Sequence, residues 1–201
     1  MIIAVEGIDG AGKHTLVDAT LQRIPATTLA FPRYKDSAAA QLAQAALHGK
    51  MGDMADSAYA MAAMFALDRL GAAEVLGEYA GDPARYLILD RYCASNAAYT
   101  WARTGDEAAL AWVEDLEFGR LGLPRPDLQV LVATPPGVAG ERAERREAND
   151  AQRTRDRYER DDALQRATSE AYAELARRGW AGRWVVASDP AVIIETIRSL
   201  V

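Results

Sequence analysis

Short apolar runs separated by longer stretches of helical periodicity organise this chain. The runs lie at Ile2 to Val5, Thr28 to Phe31, Tyr86 to Leu89, Leu128 to Ala133 and Arg183 to Val186, and each reads as a buried strand. Between and after them the pattern predicts helices over Lys13 to about Arg23, Ser37 to Leu47, Asp56 to Tyr79 and Tyr92 to Arg103. Further helices are predicted over Asp106 to Leu121, Pro136 to Glu147, Arg157 to Arg178 and Pro190 to Leu200. Strands alternating with helices imply right-handed crossovers onto a parallel sheet covered on both faces, an α/β fold. In such sheets ligands collect beyond the carboxyl ends of the strands. Gly7 to Lys13, Phe31 to Tyr34, Asp90 to Tyr92 and Thr134-Pro135 should all emerge there.

The first of these junctions carries the strongest chemistry. Glu6 to Thr15 reads EGIDGAGKHT, with Gly7 ahead of the Gly12-Lys13 pair. Glycines at 7, 10 and 12 let backbone N–H groups turn inward around polyphosphate oxygens, with Ile8, Asp9 and Ala11 completing the loop, and Lys13 adds a compact cation for the β and γ phosphates. The fold expected is therefore of the P-loop NTPase type. The residue after the lysine is normally Ser or Thr, a magnesium ligand. Here it is His14, with Thr15 behind it, so a metal depends more on carboxylates elsewhere. Asp90, at the end of the third strand, either meets the magnesium shell or caps the next helix and pairs with Arg91; beside a phosphate loop the first reading gains.

Composition narrows the class. With 201 residues, half of them apolar, the chain suits one domain over 1–201 with a real core. A net charge of -6 counts against a nucleic-acid partner, which demands a basic face. Cys93 is the one cysteine, so no intramolecular disulfide forms. No apolar stretch is long enough to span a membrane, and a cytoplasmic location is the default expectation.

Three clusters qualify as ligand-binding faces. Arg91, Ser95 and Tyr99 recur at helical spacing with Asn96 beside them, which fits a nucleotide better than a core. Met61, Met64, Phe65, Asp68 and Arg69 share another face, where a ring is followed one turn later by a fork of N–H donors suited to the carbonyls of a planar base. Phe31-Pro32-Arg33-Tyr34 adds a guanidinium and a phenol near the same crevice. The charges from Glu141 to Arg166 are mixed in sign, and a stretch poor in apolar residues suits a lid over about 142–156 that brings arginines to a transferred phosphoryl group.

The motifs EGIDGAGK, FPRY, MFALDR, LDRYCASNAAY, LEFGRLGLPRPD and RDRYERD, in this order, resemble those of bacterial thymidylate kinases of the mycobacterial-like form. The resemblance runs from residue 1 to about residue 186. It implies a five-stranded parallel sheet of the nucleoside monophosphate kinase type, and transfer of the ATP γ-phosphate to dTMP by a Mg²⁺-dependent homodimer. By the same resemblance the loop from Gly7 to Thr15, with Arg142, holds ATP, and Lys13, Asp9, Arg91, Arg146 and Arg153 form the catalytic set. Phe65 stacks on thymine, Arg69 and Asn96 hydrogen-bond it, Arg33 and Arg91 grip the acceptor phosphate, and Tyr99 crowds the sugar 2′ position. Phe31, Tyr34 and Tyr158 complete the dTMP pocket, and Asp9, Asp90 and Glu159 are the candidate metal ligands. Arg155 joins the lid arginines, while Asn149 and His14 stand where relatives carry arginine. Two rivals remain: a nucleoside kinase using Glu6 or Asp9 as base, and a P-loop switch. The guanine-reading Asn-Lys-x-Asp tetrapeptide is missing, which favours adenine over guanine.

Overall fold

The computed structural model describes residues 1–149 and 155–200. Strands β1 (Ile2–Glu6), β2 (Thr27–Ala30), β3 (Leu87–Asp90), β4 (Leu128–Leu131) and β5 (Trp184–Val186) form one sheet in the order β2-β3-β1-β4-β5, with every pairing parallel. β1 is the centre, pairing Ile3 with Ile88 on one side and Leu128 on the other. All of its residues are buried, which is why its sequence is a continuous apolar run rather than an alternating one. All five expected strands are present, with ends displaced by one or two residues.

The helices are α1 (Lys13–Leu21), α2 (Ala38–Leu47), α3 (Ala58–Leu70), α4 (Ala73–Gly77), α5 (Cys93–Thr104), α6 (Ala108–Glu114), α7 (Pro136–Asn149), α8 (Asp162–Arg178) and α9 (Pro190–Arg198). α1 packs on α9, while α5 gathers α3, α6 and α8 around itself. Because α5 follows β3 directly, that packing fixes the residues at the carboxyl end of β3 against the rest of the molecule.

Three predicted helices take a different form. The expected helix from Asp56 to Tyr79 is divided: a 3-10 turn at Met54–Asp56, α3 behind the Ser57 cap, then a break at Gly71-Ala72 before α4. Arg33 supplies the reason. Its guanidinium donates to the carbonyl oxygens of Asp68 and Gly71, satisfying groups that a continuing helix would use, and a Cβ on Gly71 would lie 2.6 Å from its Nη2. The helix predicted over Asp106 to Leu121 changes at its middle from α6 to a π-helical segment, Asp115–Arg120, after which Leu121 N–H bonds Leu116 O at 2.9 Å. The helix predicted to begin at Arg157 begins at Asp162. Upstream the Asp156 carboxylate accepts from the N–H groups of Tyr158 (2.8 Å) and Glu159 (3.0 Å), holding a turn instead.

Asp161 then caps α8, its carboxylate accepting from Leu164 N–H at 2.9 Å. Asp161→Ala should cost about 1 kcal/mol of stability. A urea unfolding midpoint equal to that of the parent protein would show that the cap carries no weight.

Candidate active site

β1 empties into the glycine loop. Gly10 has φ 78°, and a Cβ there would lie 2.1 Å from the Ala139 carbonyl oxygen, so only glycine lets the loop press against the start of α7. Thr134 Oγ1 donates to Ala11 O at 2.7 Å from the other side. Lys13 opens α1, and its Nζ folds back to donate to Ile8 O at 2.9 Å. Burial, then the neighbouring Arg91 charge, brings its ammonium down to about 8 against the pull of Asp9, Asp90 and Glu6. His14 turns away: its side chain is 83% exposed and lies 3.4 Å from Asp18. Thr15 is exposed as well. Arg142, reaching down from α7, places Nη1 3.5 Å from where a Gly12 Cβ would stand, so it lies over the loop.

Arg91 occupies the turn after β3 with φ 69°, a left-handed conformation that costs a non-glycine residue about 1 kcal/mol or more. Its contacts offset that strain. Nη1 donates to Gly7 O at 3.0 Å and to the hydroxyls of Ser95 and Tyr172 at 3.3 Å, and Nη2 binds the Asp9 carboxylate. Asp9 also accepts from Tyr99 OH at 2.8 Å. Burial alone would raise the Asp9 carboxyl, but Arg91 and then Lys13 outweigh it and hold the group at about 2. Glu6 stands behind this assembly at 0% exposure, accepting from Tyr92 N–H (2.8 Å), Ser95 Oγ (2.7 Å) and Tyr172 OH (3.1 Å). Burial raises its carboxyl above the usual range, with Ser95 and Arg91 opposing.

Beside the loop opens a cavity of about 640 Å³. Phe31 and Tyr34 line it from the segment after β2, Phe65 and Arg69 from α3, and Arg91, Asn96 and Tyr99 from the turn and helix after β3. Tyr158 and Glu159 close it from the segment before α8, where the Tyr158 ring stacks on Tyr99 with centroids 6.0 Å apart. Asp9 stands where loop and cavity meet. Arg33 is the exception among the residues expected to hold dTMP. It does not line the cavity, and its guanidinium is spent on the carboxylate and carbonyl of Asp68 and on Gly71. The side chain of Arg146 and the whole of Arg153 lie outside the described residues.

Some contributors have no role in the sequence reading. Tyr172 joins the Arg91 assembly from α8, and Glu117, in the π-helical segment, binds both Arg69 and Asn96. Glu117 left a trace: Leu110, Val113 and Glu117 recur on one helical face, which puts an acid on the buried stripe. No group of three or more His, Cys, Asp or Glu residues arranged for a metal ion occurs among the described residues. The carboxylates whose charges act on Lys13 are Asp9, Asp90 and Glu6, and Asp90 makes no side-chain hydrogen bond among the described residues.

A glycine cradle at the end of a central parallel strand, opening onto a base-sized cavity through one shared arginine, defines a P-loop kinase acting on a small acceptor. Comparison with known proteins narrows this. The family described as Thymidylate kinase matches residues 5–195. A Mycobacterium tuberculosis protein named thymidylate kinase is 51% identical over 209 residues, covering 98% of this chain and 97% of that one. A Thermococcus onnurineus protein named probable thymidylate kinase is 31% identical, covering 89% and 85%. Among solved structures, the thymidylate kinase of Candida albicans superposes with a TM-score of 0.73 at 20% identity over 98% of this chain and 91% of that one. A deoxyadenosine kinase from M. mycoides gives 0.67 at 14% identity over 99% and 97%. At these identities the two structures establish the fold alone. The chain belongs to the thymidylate kinase family, whose activity is the ATP-dependent phosphorylation of dTMP to dTDP.

The position of Lys13 sets a pH dependence. In the free protein its ammonium loses its proton as pH rises through about 8; a bound polyphosphate favours the charged form and raises that value again. ATP binding at pH 8 should therefore take up about half a proton more in the parent protein than in Lys13→Ala. Calorimetric titration in buffers of different ionisation enthalpy measures this, and equal uptake by the two proteins would remove Lys13 from the phosphate site.

Proposed function

We propose that dTMP lies in the cavity with its base between Phe65 and the Asn96–Arg69 pair and its phosphate at Arg91, while the loop from Gly7 to Thr15 holds the ATP phosphates. The observation that carries this reading is the position of Arg91. It donates to Gly7 O of the loop and to Asp9 at the cavity mouth, so acceptor and donor phosphates meet at one guanidinium. The acceptor oxygen of a nucleotide monophosphate is already ionised at neutral pH, so the reaction needs cations and alignment rather than a base. Lys13 and Arg91 supply the cations, Tyr99 and Tyr158 wall the sugar, and Arg142 lies ready over the loop. Its neighbours in the lid proposed at 142–156 include Arg155, which the Glu147 carboxylate holds at 2.9 Å.

The rival reading, phosphorylation of a neutral 5′-hydroxyl, needs a carboxylate base. Glu6 is fully buried with both oxygens engaged, and Asp9, held at about 2, has little affinity for a proton. Neither suits that task. Mg²⁺ fits the donor set: it keeps several waters and takes one or two carboxylates plus substrate phosphates, and Asp9, Asp90 and Glu159 offer such oxygens without forming a closed cage. When bound, with Asp9, Asp90 and Glu159 as the residues that would hold it, it would supply charge neutralisation of the ATP phosphates. A homodimer is supported by exposed apolar side chains on α2, α3 and α4, namely Leu42, Tyr59, Leu67, Leu70 and Val75. A cytoplasmic location accords with a nucleotide-forming activity and with the absence, among the described residues, of a helix long and apolar enough to cross a membrane.

ADP release measured with dTMP and with thymidine tests the assignment: dTMP should drive turnover, and faster turnover of thymidine would replace this reading with the nucleoside kinase. Arg91→Ala should raise KM for dTMP about tenfold and lower kcat about a hundredfold, because misplaced attack is costly. An unchanged KM would move the acceptor phosphate elsewhere.

A further inference from the structure

Glu117 sits at 0% exposure in the π-helical segment and does not line the cavity. Its carboxylate accepts from Arg69 Nε at 2.6 Å, Arg69 Nη2 at 2.7 Å and Asn96 Nδ2 at 2.7 Å. Asn96 Nδ2 also donates to Ala62 O at 2.8 Å. A backbone carbonyl and a carboxylate are acceptors only, so the orientation of the Asn96 amide is fixed: its NH₂ must face them. Oδ1 is then the polar atom Asn96 has left, and it makes no hydrogen bond among the described residues. Arg69 is treated alike. Its Nε and Nη2 edge is consumed by the carboxylate fork, leaving Nη1, the guanidinium nitrogen without a hydrogen bond among the described residues. Both side chains line the cavity.

The cavity therefore shows a base one acceptor and one donor: Arg69 can only donate, and the Asn96 amide is held in one sense by Ala62 O and the Glu117 carboxylate together. That pair matches a pyrimidine whose N3 carries hydrogen and whose C4 carries oxygen. Cytosine, with a bare N3 and a C4 amino group, would set acceptor against acceptor and donor against donor. We propose that Glu117 is the residue that confines this kinase to 4-oxo pyrimidines, acting as a positioning residue that locks Asn96 and Arg69 in one hydrogen-bonding sense. The inference rests on the placement of thymine proposed above and adds the group that enforces its recognition. A glutamine at this position must turn an N–H toward Arg69 or Asn96, so it opens the fork that fixes Arg69 and leaves Ala62 O as the one acceptor still holding the Asn96 amide.

Turnover of dTMP, dUMP and dCMP by Glu117→Gln and Glu117→Asp tests this. In Glu117→Gln the kcat/KM preference for dTMP over dCMP should fall at least about tenfold, through KM, with dUMP following dTMP. Glu117→Asp retains an acceptor-only group and should keep the preference even where overall activity drops. Equal losses toward all three substrates in Glu117→Gln would reduce Glu117 to a structural role and overturn the proposal. A second measurement needs no variant. In the ligand-free parent protein the Asn96 side-chain NH₂ should exchange slowly with solvent by NMR and stay protected when dTMP binds; an amide that exchanges freely would overturn the proposal too. Failure of the underlying reading looks different, because the parent protein would then release no ADP in response to dTMP.

Discussion

A guanidinium removed from water must keep its charge and find acceptors, and the site is arranged around that demand. Breaking one partner from a buried pair costs about 3–5 kcal/mol, because the remaining charge is left without solvent or counter-ion. Two arginines that line one cavity are placed under this rule. Arg69, 3% exposed, is held by Glu117, and Arg91 by Asp9 with the hydroxyls of Ser95 and Tyr172. Each anion touches a second side chain that lines the cavity, Asn96 for Glu117 and Tyr99 for Asp9. The partners that make burial of the cations tolerable are thus the same groups that orient neighbouring side chains on the cavity wall.

The same demand reshapes the backbone. Arg91 stands in a left-handed conformation that its side-chain bonds stabilise, and Arg33 ends α3 by taking its last carbonyls. The π-helical segment lies where Glu117 must reach across to Arg69 and Asn96. A π turn rotates the residues that follow it relative to an α-helix, and such segments recur at functional sites for that reason. Irregularity is concentrated around the cavity, while β1, β3 and β4 remain regular and buried.

What the sequence made legible follows from the range over which each signal acts. The strands were legible because parallel strands buried on both faces leave continuous apolar runs. The phosphate loop was legible because its glycines and Lys13 act within one turn of chain, and Phe65, Asn96 and Tyr99 because they share helix faces. The helix endings at Gly71 and Asp162 were not, because the groups that impose them are Arg33, from a distant segment, and an aspartate-centred turn that competes with helix locally. Glu117 escaped because its partners lie 48 and 21 residues away, and no local pattern encodes such a pairing. Arg33 shows the opposite limit: an arginine beside a crevice looks the same in sequence whether or not its guanidinium lies on a helix end, as it does here.

The pairing of Asp9 with Arg91 bears on how the two ends of the site communicate. On the proposed reading, a phosphate arriving at Arg91 competes with Asp9 for the same N–H donors, and a dianion offers them more charge than one carboxylate does. As that exchange proceeds, Lys13 and the hydrogen bond from Tyr99 are the groups left to favour the ionised form of Asp9 against its burial. The exchange opens lone pairs on Asp9 at the junction of cavity and loop. With Asp9 among the Mg²⁺ ligands, as proposed, acceptor binding and metal affinity would favour each other through that one exchanged ion pair. No large movement of the sheet is required for that coupling, because the exchange takes place among side chains already in contact.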